Sequence, residues 1–228
     1  MIYQIAGIWR NLSWGCAYAG QPSVQIQLPD AREYFARDGD LSTLSFSSLV
    51  AVLNPQIKRY RTLQIHAVRF DARGQIETIS DPLYQPAVYP LMSYFLNDLE
   101  NRIVLQADNT TDISLVDPRV NTVLMPITPS RGKPADNYWY NLNYLSEEGE
   151  ILFHLIDSED YHWMKDVIRQ FNLTNRFTVH VSVVGDRDRL NRWSKQMIED
   201  SLAVHYLPHV PFTPLPVRID QSYRQPLK

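Results

Sequence analysis

Apolar and polar positions alternate with a period of two from Leu63 to Phe70. Leu63, Ile65, Ala67 and Arg69 interleave with Gln64, His66, Val68 and Phe70, the pattern of a strand with two unlike faces. The run Asp71, Ala72, Arg73, Gly74 reads as a hairpin turn, with Gln75 to Ile79 as the returning strand. Phe177 to Val184 is the strongest strand signal in the chain, and Ile103 to Ala107 and Thr122 to Ile127 read the same way. Ile2 to Trp9 and Ser23 to Leu28 form a further predicted pair, joined by a loop around Gly15 and Gly20. Tyr138 to Leu145 and Ile151 to Asp157 read as a second hairpin, turning through Glu147, Glu148, Gly149 and Glu150.

Helical spacing replaces this alternation in five places. A short helix is expected from Asp30 to about Gly39, and another from Ser45 to Leu53, stopped by Pro55. Val88, Leu91, Met92, Phe95 and Leu99 place a helix over about Ala87 to Asn101, with Pro90 in its first turn. Met164, Val167, Ile168 and Phe171 form the apolar stripe of a helix from about Asp160 to Phe171, with Ser158 as its N-cap. Leu190, Trp193, Met197, Ser201 and Val204 share a face of a helix capped by Asp186 and ended by Pro208.

The elements predict an α+β or α/β fold, a mixed sheet with helices packed on it. The stretch from Ile151 to Val184 has the order of a parallel strand–helix–strand crossover. Gly74-Gln75-Ile76 and Gly149-Glu150-Ile151 hold matching places, which suggests two similar strand–turn–strand–helix–strand halves. Residues 1–207 are expected to form one domain, with a sub-boundary in the loop-like stretch 108–136. Residues 208–228 carry Pro208, Pro211, Pro214, Pro216 and Pro226 and read as an extended arm.

Composition narrows the classes. A net charge of −3, from 22 basic and 25 acidic residues, gives no global excess for neutralising phosphates. Cys16 is the only cysteine, so neither an internal disulfide nor a cage of several thiolates can form. No secretory leader or membrane span is read, and a cytoplasmic or intracellularly assembled setting is expected.

Catalytic motifs are absent: there is no G-x-S-x-G elbow, no phosphate loop and no G-x-G-x-x-G. Cys16, in Trp14-Gly15-Cys16-Ala17-Tyr18, reads as a buried small hydrophobe rather than a nucleophile. His180-Val181-Ser182 on the best strand lacks a second H-x-S/T strand to face it, so His180 reads as a buried, hydrogen-bonded residue. His154, Asp157, Asp160 and His162 cluster without a recognised ligand spacing, and Pro208 separates His205 from His209. No metal and no cofactor is therefore expected.

Two basic clusters remain as anion- or nucleic-acid-binding candidates. Lys58, Arg59, Tyr60 and Arg61 interleave an aromatic ring with cations, and Arg187, Arg189 and Arg192 open a helix whose free N–H groups favour anions. Tyr138, Tyr140 and Tyr144 would share one face of the predicted strand. With 13 Tyr, 5 Trp and a proline-rich arm, the sequence points first to a non-enzymatic structural or interaction protein, an assembly subunit with protein partners. A nucleic-acid-binding accessory protein is the alternative, and requires both basic clusters on one side of the fold. An enzyme acting on a phosphorylated substrate near His180 is the third reading.

Overall fold

The computed structural model describes residues 1–13, 16–30, 41–70, 76–129, 137–183, 187–208 and 215–217. Strands β1 (Ile2–Ile5) and β2 (Gly7–Leu12) split the first predicted strand at Ala6. β1 pairs antiparallel with β4 (Ser42–Ser45) as a separate two-stranded sheet. β2 pairs antiparallel with β3 (Pro22–Pro29) and enters the main sheet. The predicted helix over residues 31–40 lies outside the described residues.

The remaining strands are β5 (Thr62–Phe70), β6 (Ile76–Ser80), β7 (Arg102–Gln106), β8 (Thr122–Ile127), β9 (Glu150–Leu155), β10 (Thr178–Val183), β11 (His205–Pro208) and β12 (Leu215–Pro216). Among the described residues they join β2 and β3 in a ten-stranded mixed sheet, ordered β11-β10-β9-β8-β7-β5-β3-β2-β12, with β6 beside β5. From β3 to β11 the neighbours in this order are parallel. The chain therefore lays down β3, β5, β7, β8, β9, β10 and β11 in one direction. Helices α1 (Phe46–Tyr60), α2 (Val88–Leu96), α3 (Ser158–Phe171) and α4 (Arg187–Glu199) lie in the connections. Each ends shortly before a parallel strand begins. Crossovers of one hand that advance in one direction put every helix on the same face.

The burial pattern matches. Ile26, Leu63, Ile65, Leu105, Met125, Phe153, Val179 and Val181 point to the helical face and share one apolar core with Leu53, Ile57, Leu91, Phe95, Met164, Ile168, Trp193 and Met197. The strands are one-sided because their odd and even positions differ in kind, as the alternation over Leu63–Phe70 predicts.

Several boundaries differ from the sequence reading. α1 runs through Pro55 instead of stopping before it, because Leu53 and Ile57 bury on either side. Its start is fixed by Ser45, whose hydroxyl accepts the Ser48 N–H at 3.1 Å. α2 ends at Leu96, and Leu99, placed by spacing on its stripe, is 91% exposed. Trp139–Asn143 is a 3₁₀ turn rather than a strand, so the second hairpin does not form and the matched order of the two halves is lost. Asp157, not Ser158, caps α3, in a capping box with Asp160. α4 stops at Glu199, short of Val204, and its predicted cap Asp186 lies outside the described residues.

β8 forms as predicted and occupies the middle of the sheet, although it contains Pro126. Ala107 donates its N–H to the Leu124 carbonyl at 3.1 Å, so Leu124 points its backbone groups toward β7. Pro126, two residues on, points the same way, past the last residue of β7, and its missing N–H costs no ladder bond. The described part of the C-terminal arm, Leu215–Val217, lies along β2 of the same chain, with the Val217 N–H on the Ile8 carbonyl at 2.8 Å. Among the described residues no helix is long and apolar enough to cross a membrane.

The α3 capping box gives a direct test. Asp157→Ala is expected to lower the unfolding free energy by about 1 kcal/mol in urea titrations. Asp160→Ala is expected to cost more, because buried Asp160 accepts the Ile156 N–H at 2.8 Å and the Asp157 N–H at 3.3 Å.

Candidate functional site: the helix-free face of the sheet

Among the described residues, one-directional winding leaves the second face of the sheet without helices. Its residues follow from the register. Gln25 pairs with Gln64 and Gln27 with His66, while Gln106, Leu124, Glu150 and Thr178 form a continuous row. His180 pairs with Leu152 and with His205, and Ser182 with His154. Strands that are apolar toward the helices are thus polar on the reverse. Much of this polar face is nonetheless buried: Ser23, Gln64, His66, Thr122, Glu150, His180 and Ser182 all lie out of water. The loop from β2 to β3 covers part of it, and Trp9 folds its ring back over Gly7, where any β-carbon would collide with it.

Hydrogen bonds run across the face from the β2 side. Asn11 donates to Gln25 Oε1 at 3.4 Å, and Gln25 donates to Gln64 Oε1 at 2.7 Å. The Gln64 amide reaches Cys16 Sγ at 3.9 Å. One residue further, the Ala17 N–H donates to Glu150 Oε2 at 2.8 Å. The same oxygen is in short contact with His180 Nε2, and both side chains are about 2% exposed. The His205 ring stands beside the His180 ring, centroids 5.3 Å apart and planes at 74°.

Burial without partners is costly for polar atoms, about 1–3 kcal/mol each. Five such atoms belong to this face: Gln27 Oε1, Gln106 Nε2, Glu150 Oε1, His180 Nδ1 and Ser182 Oγ. Among the described residues they come from β3, β7, β9 and β10, with Glu150, His180 and Ser182 on the neighbouring strands β9 and β10. With Nε2–H directed at the carboxylate, Nδ1 of a neutral His180 presents a lone pair.

Burial sets the protonation of two neighbours. It holds the His66 imidazole down at about 4 and therefore neutral near pH 7. It pushes the Cys16 thiol up to about 12, against a backbone hydrogen bond at Tyr18 and with the Glu150 charge adding to the rise. Cys16 is a protonated, buried thiol, as its sequence context suggests. Asp81, also buried, directly follows the end of β6. Desolvation first, then the Asp108 charge, raises it to about 7. Asp81 accepts the Leu83 N–H at 2.9 Å and the Asp108 N–H at 3.3 Å.

Of the residues singled out by sequence, His180 is buried and hydrogen-bonded as expected, but it belongs to a pair with Glu150. Glu150 had been read as part of a hairpin turn and was missed. The signal for it was an acid opening a strand whose alternate positions are Leu152 and His154. Lys58 and Arg59 occupy the last turn of α1, where cations suit the helix dipole. Tyr60 packs against the core, and Arg61 takes a left-handed cap conformation and pairs with Asp98 and Glu100. This cluster lies at the amino ends of the parallel strands, just before Thr62. Arg187, Arg189 and Arg192 open α4 beyond the carboxyl end of β10. The two basic clusters stand at opposite ends of the sheet. His162 is exposed on α3, across the sheet from His154 and His180, so it does not join them. Tyr138, Tyr140 and Tyr144 are 40%, 67% and 57% exposed around the 3₁₀ turn, not in a strand row.

No protein-family model matches the sequence, and no curated protein matches it significantly. Among solved structures, the crystal structure of QueE from Escherichia coli is similar, with a TM-score of 0.67 over 92% of this chain and 95% of that one, at 13% identity. At this identity the likeness shows the fold. The expectation of a non-enzymatic structural protein or assembly subunit is corrected by this finding: the fold is that of QueE, and the exposed tyrosines and the proline-rich arm gave no sound ground for the other reading.

Iron–sulfur clusters are held by several cysteine thiolates. The residues of this chain do not fit such a cluster. It has one cysteine, and that thiol is buried and held protonated.

Two measurements follow. Anaerobic reconstitution with iron and sulfide is expected to leave acid-labile sulfide at background; a stoichiometric content would overturn the misfit. For pH, the folded state binds Asp81's proton more tightly than the unfolded chain does, so that stability is full below about 4 and lost as pH rises through about 7. His66 acts in the opposite sense, losing stability as pH falls from about 6.5 to about 4. Asp81→Asn should flatten the falling limb of stability toward pH 7, and His66→Gln the acid limb, in denaturation midpoints followed across pH.

Proposed function

We propose that this protein is an enzyme that binds a small polar molecule against the helix-free face of the sheet and exchanges a proton with it at His180. The observation that carries this reading is the buried Glu150–His180 pair, whose Nδ1 stands unpartnered beside the free Ser182 hydroxyl. The Glu150 carboxylate, itself positioned by the Ala17 N–H, fixes the imidazole and would stabilise the imidazolium formed when Nδ1 takes a proton. Ser182 can donate to the bound molecule, and Glu150 Oε1 can accept from it. The substrate is thus a molecule with donors and acceptors of its own. One buried cysteine with no disulfide sets the enzyme in a reducing compartment under this reading.

The test has two stages. Thermal denaturation against a panel of sugars, nucleosides, amino acids and carboxamides is expected to show stabilisation by one class. Deuterium wash-in from D₂O into that molecule, followed by NMR, is expected to fall about 10²–10⁴-fold in His180→Gln. Circular dichroism would confirm that the variant is folded. A wash-in rate unchanged in folded His180→Gln, or no stabilising class at all, would overturn the reading.

A further inference from the structure

The His180–His205 pair has a geometry that proton transfer does not require. The two residues are in register on adjacent parallel strands and project from the same face. His180 is buried, its Nε2 is held by Glu150, and its Nδ1 has no partner. His205 is exposed on β11. A histidine that gives one ring nitrogen to a carboxylate and keeps the other free has the form of a metal ligand with its orienting second partner.

The spacing agrees. A zinc–nitrogen bond of about 2.0–2.1 Å places a metal about 3.2 Å from each ring centre, and a tetrahedral angle then sets the two centres about 5.2 Å apart. The observed separation is 5.3 Å. We propose that His180 and His205 together bind a divalent transition-metal ion such as zinc, with Glu150 fixing the His180 tautomer. The exposed His205 ring needs only a rotation about its own side-chain bonds to direct a nitrogen at the ion. Among the described residues no three His, Cys, Asp or Glu side chains are arranged as a metal cage. The two imidazoles are therefore the protein ligands, and water completes the coordination of the ion.

The ion and a proton compete for one lone pair on Nδ1. Binding must weaken as pH falls, and the bound ion must block the proton exchange assigned to His180. The metal site does not depend on that exchange, because it can be measured with no substrate present.

Calorimetric titration of the full chain with zinc chloride, at several pH values, is the experiment. One equivalent is expected to bind to the wild type, at least about tenfold more weakly to His205→Gln, and about 10–100-fold more weakly to Glu150→Gln. His205 is exposed, so its variant is expected to keep the wild-type unfolding midpoint. With copper(II) in place of zinc, electron paramagnetic resonance should show coupling to two imidazole nitrogens, reduced to one in His205→Gln. Equal zinc affinity in wild type and His205→Gln, a single coupled nitrogen in the wild type, or no binding would each overturn the proposal.

Discussion

A parallel sheet wound in one direction can be covered by its own helices on one face only, and that constraint governs the rest of this molecule. α1, α2, α3 and α4 seal the face carrying Ile65, Leu105, Met125, Phe153 and Val181. The other face must manage its buried backbone by different means. Here the chain fills it with hydrogen-bonding side chains, Asn11, Gln25 and Gln64 on one side and the Glu150–His180 pair on the other, with the Cys16–Ala17 loop touching both. A buried carboxylate such as Glu150 would be several kcal/mol too costly alone. The Ala17 N–H and the His180 ring make it tolerable, and the loop that supplies Ala17 closes over the same face.

This arrangement separates the sources of stability from those of chemistry. The apolar face holds the fold, through dispersion and exclusion of water, and has little use for any polar group. The polar face contributes less to the core and concentrates the groups whose hydrogen bonds are incomplete. Val104, Leu124 and Leu152 are buried there too, outside the main apolar core, and lower the dielectric around Glu150 and His180. Incomplete satisfaction on only one side of a sheet is what marks that side as the working one.

Much of the fold was legible from period alone. β8 and β10 fell where alternation or β-branching placed them, because strands that pack against helices must be apolar at every second residue. The misses came from competing local rules. Pro55 reads as a stop, but burial of Leu53 and Ile57 carries α1 through it. Tyr138 to Leu145 alternates like a strand, yet its tyrosines are outside the core and the segment closes into a 3₁₀ turn. The site was harder to see. Gln64 and His66 were visible as the polar half of an alternating strand, but the same half on β3, β7, β9 and β10 is joined only by the strand order. No spacing in sequence brings Cys16 and Ala17 to Glu150, more than 130 positions away.

The single hand of the crossovers also aligns the helices. α1, α2, α3 and α4 all point their amino ends toward the carboxyl ends of the strands and their carboxyl ends toward the strand starts. Their peptide dipoles therefore add instead of cancelling, with partial positive charge along one rim of the sheet and partial negative charge along the other. Lys58 and Arg59 in the last turn of α1, and Arg169 in that of α3, are the counterweights at the negative rim, as Glu159 and Asp160 are at the start of α3. The two rims therefore differ in polarity, and an anion is favoured beside the helix starts, at the rim where the parallel strands end.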